Sequence, residues 1–164
     1  MVESHLERSC TIGPVFVDTN TFVYRYDTRD PAKQSRANDW FTFVWQSRTG
    51  RLSFQVLQEL YATLTRKLRP AMSVADARQI VRDLTLWQPL AADLALLERA
   101  WLVQNRYSVS WWDALIVAAA QTSKCNVLLT EDLQHGQTFG PLRVVDPFES
   151  PELTPEAVLN ALAL

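Results

Sequence analysis

"PVFVDTNTF", residues 14–22, decides the fold. After Gly13-Pro14, the run Val15-Phe16-Val17 is short, β-branched and aromatic, and it reads as a buried first strand. Asp18 ends it, so a carboxylate stands where apolar residues stop. Working outward, Trp40, Phe41, Val44 and Trp45 recur at helical spacing within residues 32–48. "RLSF" (51–54) reads as a second strand after Gly50. "QVLQELYATLTRKL" (55–68) then sets Val56, Leu57, Leu60, Tyr61, Leu64 and Leu68 on one stripe and stops before Pro70.

A further helix begins after the cap candidate Ser73 and runs to about Leu86. "WQPLA" (87–91) is expected as a short edge strand, because Pro89 suits no sheet centre. Residues 93–106 and the stretch from Ser110 to Ser123 are helical in pattern. "NVLLT" (126–130) and "LRVVD" (142–146) read as later strands, and Thr154-Pro155 caps a last amphipathic helix. This strand–helix alternation predicts an α/β domain with a central parallel sheet and helices on both faces. In such sheets, ligands gather beyond the carboxyl ends of the strands.

The chain has 164 residues, 48% of them apolar and 21% charged, with a net charge of −2. That size and composition suit one globular domain, and the charge balance does not advertise nucleic-acid binding. Cys10 and Cys125 form no paired motif, which points to a reduced, cytoplasmic protein. "MVESHLERSC" is not a signal peptide, and no apolar run is long enough to span a membrane. The four glycines include none that opens a helix after a strand, so a phosphate-cradling glycine loop is excluded. His5 and His135 are the two histidines, a poor basis for paired-imidazole RNA cleavage.

Four acids hold interest because of where they fall. Asp18 and Asp132 follow strands, in "VFVDTNTF" and "VLLTEDLQHG", with Asn20 and Thr130 close by. Each alone also reads as a turn or cap residue. Asp113, in "SWWDALIVAAA" (110–120), opens an apolar helix three residues after Ser110, which is a capping-box pattern. Glu59 lies on the polar side of its helix beside Gln55 and Arg66, and periodicity alone makes it a solvated side chain. Carboxylates drawn from separate elements would suit a hard divalent cation, which removes the repulsion among them.

"VFVDTNTFVY", "SFQVLQELYATLTRK", "SWWDALIVAAA" and "VLLTEDLQHGQ" resemble, in this order and spacing, the motifs of PIN-domain ribonucleases, closest to the VapC-like toxins of bacterial type II toxin–antitoxin pairs. The resemblance covers residues 14–148. It leaves an N-terminal extension (1–13) and a C-terminal tail (149–164) outside. It implies a flavodoxin-like strand order and an acidic quartet at Asp18, Glu59, Asp113 and Asp132, serving as catalytic and metal-ligating groups. Asn20 and Thr130 match the polar positions that accompany the quartet and position substrate. It further implies Mg²⁺ or Mn²⁺ as cofactor, RNA as substrate, homodimerisation, and a small VapB-like antitoxin as partner. Arg66, Lys67 and Arg69 are candidate contacts to an RNA backbone, with a solvated helix end as the plainer reading. Trp111 and Trp112 are candidates for base stacking, at least one of them with a core role instead, while Trp40, Trp45, Trp87 and Trp101 are expected in the core or a dimer interface.

Two other functions compete with RNA cleavage by a toxin. One is a PIN-like module that binds RNA or protein without cutting, and the other a housekeeping RNA-processing nuclease. A phosphotransferase that starts from an acid after the first strand would need a second aspartate two residues on, where Asn20 stands.

Overall fold

The computed structural model describes residues 13–162. His5, Cys10 and all of the N-terminal extension but Gly13 lie outside the described residues. Five strands form one sheet in the order β2-β1-β3-β5-β4: β1 (Val15–Val17), β2 (Gly50–Arg51), β3 (Val127–Leu129), β4 (Thr138–Phe139) and β5 (Leu142–Val145). β1 pairs in parallel with both β2 and β3, and β3 pairs in parallel with β5. Every residue of β1 and β3 is buried. A strand without an exposed face needs cover on both sides, and crossover helices supply it. The α/β reading of the sequence therefore stands, with one correction at the sheet edge. β4 joins β5 antiparallel through a turn at Gly140, whose φ is +64°, so the sheet is mixed rather than wholly parallel. Two residues long, β4 is too short to show a period in the sequence.

The helices are α1 (Thr19–Tyr24), α2 (Pro31–Gln46), α3 (Phe54–Arg66), α4 (Val74–Leu84), α5 (Leu94–Tyr107), α6 (Trp111–Thr122) and α7 (Pro155–Leu162). Their starts follow local chemistry. Asp30, Ser53, Ser73, Asp93 and Ser110 each accept a hydrogen bond from the backbone N–H three residues on, satisfying a donor the helix itself cannot. The expected edge strand at 87–91 does not form. Residues Thr85–Trp87 make a 3-10 turn, Gln88 takes a left-handed conformation at φ 52°, and only Leu90 bridges to Ser53. Pro89 and the left-handed residue before it leave no room for a ladder. Helix α1 is also additional to the sequence reading, which carried no periodic signal there.

Register explains why a site can exist at all. Val17 pairs with Leu129, and Leu129 with Val145. The residues that follow, Asp18, Thr130 and Asp146, thus leave the sheet along one edge. Beneath them lies the core, in which Phe16, Phe22, Trp40, Leu60, Leu64 and Phe139 are fully buried. Each such side chain contributes roughly 1.5–3 kcal/mol by leaving water. The Trp40 indole donates to the Pro147 carbonyl at 3.1 Å, and the buried Arg36 donates to the same oxygen at 2.8 Å. These bonds tie the segment after β5 to α2. No helix of the described residues is long and apolar enough to cross a membrane.

Candidate active site

Asp18 is the N-cap of α1, and that position explains how a carboxylate survives under the sheet edge. Its Oδ1 accepts the Thr19 N–H at 2.7 Å and its Oδ2 accepts the Thr130 hydroxyl at 2.8 Å. Even so, burial pushes its pKa from the ordinary 3.8 up to about 7; the Thr130 and Thr19 hydrogen bonds oppose the rise, and the charges of Asp132 and Glu59 add to it. Thr130 works in two directions. Its Oγ1 donates to Asp18 and accepts from the Asn20 amide and the Asp132 backbone N–H, both at 3.1 Å. Asn20 Nδ2 also donates to Asp132 Oδ2 at 3.1 Å. A chain Asp18–Thr130–Asn20–Asp132 results, closed across two strand ends that are 112 residues apart in sequence.

Glu59 enters from α3. Its Oε2 accepts the Thr19 hydroxyl at 2.9 Å, and its Oε1 accepts the Gln55 amide at 2.9 Å from one turn earlier on the helix. Thr19 thus touches both Asp18 and Glu59. Asp113 is held by its own helix start: the Ser110 hydroxyl donates to Asp113 Oδ2 at 2.6 Å, and the Asp113 N–H donates back to Ser110 Oγ at 3.2 Å. The capping box is therefore real, and Asp113 makes no hydrogen bond to the other three acids. It does lie in the field of Asp132, whose pKa rises through burial first and then through Glu131, Asp113 and Glu59, against the Asn20 hydrogen bond.

A cleft of about 770 Å³ opens beside this network, lined by Thr19, Asn20, Glu59, Asp132, Lys67 and Trp112 among others. Trp112 is 63% exposed at its wall, whereas Trp111 stacks on Trp101 at a ring-centroid distance of 6.4 Å and packs against the core. Of the three basic candidates only Lys67 lines the cleft; Arg69 turns back to the Arg66 and Leu68 carbonyls at the end of α3. Of the tryptophans expected in the core or a dimer interface, Trp40 is core, and Trp45 and Trp101 are 36% and 47% exposed.

Neutral donors alone serve the four carboxylates, of which Glu59 and Asp132 line the cleft while Asp18 and Asp113 do not. No lysine, arginine or histidine among the described residues hydrogen-bonds Asp18, Glu59, Asp113 or Asp132, although Lys33 and Arg29 pair with the neighbouring Glu131 and Asp27. The donor set fits a hard divalent cation in kind. Among the described residues, no three acids, histidines or cysteines stand close enough together to hold an ion by themselves.

Sequence reading missed Thr19 and Gln55, which orient Glu59, and the Lys33–Glu131–Tyr24 cluster at the cleft rim. Gln55 was detectable, being one helical turn before Glu59; Thr19 and Lys33 carried no such signal.

A mostly parallel α/β sheet with an acid-lined cleft beyond its strand ends defines a class of domain, and comparison with known proteins identifies the family. The PIN-domain family model matches residues 15–138, more than half of the chain, and the chain belongs to that family. Among solved structures, the crystal structure of the Mycobacterium tuberculosis toxin VapC20, which cleaves the sarcin-ricin loop, is similar. Its TM-score is 0.52 at 22% identity, covering 70% of this chain and 86% of that one, a likeness of fold. No curated protein matches the sequence.

Proposed function

We propose that this protein is a metal-dependent endoribonuclease and the toxin of a type II toxin–antitoxin pair. The observation that carries the reading is a cleft lined by Glu59 and Asp132, with Asp18 tied to Asp132 through Thr130 and Asn20 and none of these acids bonded to a cation, in a PIN domain. Asp18, Asp113, Asp132 and Glu59 would hold Mg²⁺ or Mn²⁺. When bound, such an ion supplies an acidified water and neutralises charge on a phosphodiester. Asp18 and Asp113 are the principal ligands in this reading, with Asp132 and Glu59 completing the site. Thr130 and Asn20 hold Asp18 and Asp132 at a fixed separation, and Thr19 and Gln55 orient Glu59. Trp112 offers an exposed ring to an unpaired base, and Lys67 offers a charge to the backbone. VapC20 is a toxin that cleaves the sarcin-ricin loop. In this reading a small VapB-like antitoxin is the partner and a homodimer the assembled form, as the resemblance of the sequence motifs implies.

The test is cleavage of RNA by purified protein in Mg²⁺ or Mn²⁺. Cleavage should stop with EDTA and fall by at least about 100-fold in Asp18→Ala and in Asp113→Ala, as when a preorganised catalytic group is deleted. Persistence of cleavage in either variant overturns the site. Induction in bacteria should arrest growth for the native chain and spare it for Asp18→Ala; equal growth removes the toxin role while leaving the nuclease.

A further inference from the structure

The turn after α1 carries a cation that the carboxylate chemistry does not use. Asp27 has a side chain only 8% accessible, and Arg29 occupies both of its oxygens. The Arg29 backbone N–H and Nε donate to Oδ1 at 3.1 and 2.8 Å, and Nη2 donates to Oδ2. Those hydrogen bonds hold the Asp27 carboxyl down to about 2. Arg29 itself stays 60% accessible, and both residues line the same cleft as Glu59 and Asp132.

What the pair adds to stability is limited by its arginine, which stays largely in solvent. What the pair does is hold a long side chain still. A guanidinium has five N–H donors in a rigid plane, and the pairing with Asp27 takes only one edge. Nη1 makes no hydrogen bond to any described residue and remains available from the cleft. Lys33 is the contrast: its ammonium is spent on Glu131 and on the Tyr24 hydroxyl, and it packs over the Tyr24 and Phe148 rings.

We propose that Arg29, aimed by Asp27, grips a backbone phosphate of single-stranded RNA in the cleft. The proposal rests on the nuclease reading above and adds a substrate contact to it. The planar fork matches phosphate oxygens, and fixing it in advance removes part of the entropy cost of binding. Arg29 lines the same cleft as Glu59 and Asp132. The phosphate gripped lies in the same groove as the one cut. Arg29 acts on binding more than on the chemical step, and Asp27 is its positioning residue.

The experiment is steady-state cleavage of a short single-stranded RNA of mixed sequence in Mg²⁺, over a series of NaCl concentrations. It compares the native protein with Arg29→Gln, Arg29→Lys and Asp27→Asn, each checked by thermal melting. Arg29→Gln should raise KM about tenfold with kcat within about twofold, and should flatten the dependence of log KM on log salt by about 0.7, the loss of one phosphate contact. Arg29→Lys should keep the salt slope and recover part of the KM. Asp27→Asn separates aim from charge. Deleting a negative charge favours RNA if only net charge counts, whereas loss of aim raises KM about threefold. Native cleavage with an unchanged KM and slope in Arg29→Gln, or a lowered KM in Asp27→Asn, overturns the proposal alone. A native protein that cuts no RNA overturns the nuclease reading and this contact with it.

Discussion

Replacing Asp18 with asparagine should stabilise the protein increasingly as pH rises. The native carboxyl keeps its proton up to about pH 7, whereas an unfolded chain releases it near the ordinary 3.8. Between those values the folded state binds the extra proton, so each unit of pH removes about 1.4 kcal/mol of native stability, and the loss levels off above about pH 7. From about pH 5 to about pH 8 the native protein should lose about 2.5 kcal/mol relative to Asp18→Asn. For a chain of this size that is about 5–10 °C in Tm. The substitution also disturbs a hydrogen bond: the Asn amide would face the Thr130 hydroxyl, which now donates to Asp18 Oδ2 and already accepts from Asn20 and Asp132. That cost does not depend on pH, so the widening of the gap isolates the carboxyl. Paired thermal melts in EDTA across the pH range are the assay. A constant gap, or a native protein that gains on the variant as pH rises, refutes the account of Asp18 as a carboxylate strained by burial.

Two further outcomes follow from the same geometry. Mn²⁺ binding, followed by calorimetry in buffers of different ionisation enthalpy, should release up to about one proton below about pH 7 and almost none above about pH 8, because a ligand must be deprotonated. Proton release that does not change with pH would detach Asp18 from the metal. Gly50→Ala should destabilise the fold by about 1–3 kcal/mol, read in urea melts, since an added Cβ meets the Trp87 ring at 2.6 Å. A neutral result would mean that Trp87 moves freely off β2.

Local chemistry alone determined much of this molecule. Ser73 and Ser110 announced the starts of α4 and α6, because capping needs only the next few residues, whereas Ser53, which caps α3, reads in the sequence as part of a strand. The unbroken apolar runs of β1 and β3 announced a buried parallel sheet for the same kind of reason. The acids were legible as residues but not as a site. Glu59 has the spacing of a solvated glutamate, and resemblance to a family, not periodicity, singled it out. Only the folded chain puts it on Thr19 and within the field of Asp18, because the register of β1 against β3 and the packing of α1 on α3 are long-range facts. The raised pKa of Asp18 is likewise absent from any tripeptide, since desolvation depends on what covers a group from distant parts of the chain. Arg29 marks the boundary: the sequence did not single it out, and only tertiary structure puts it on the wall of the acidic cleft.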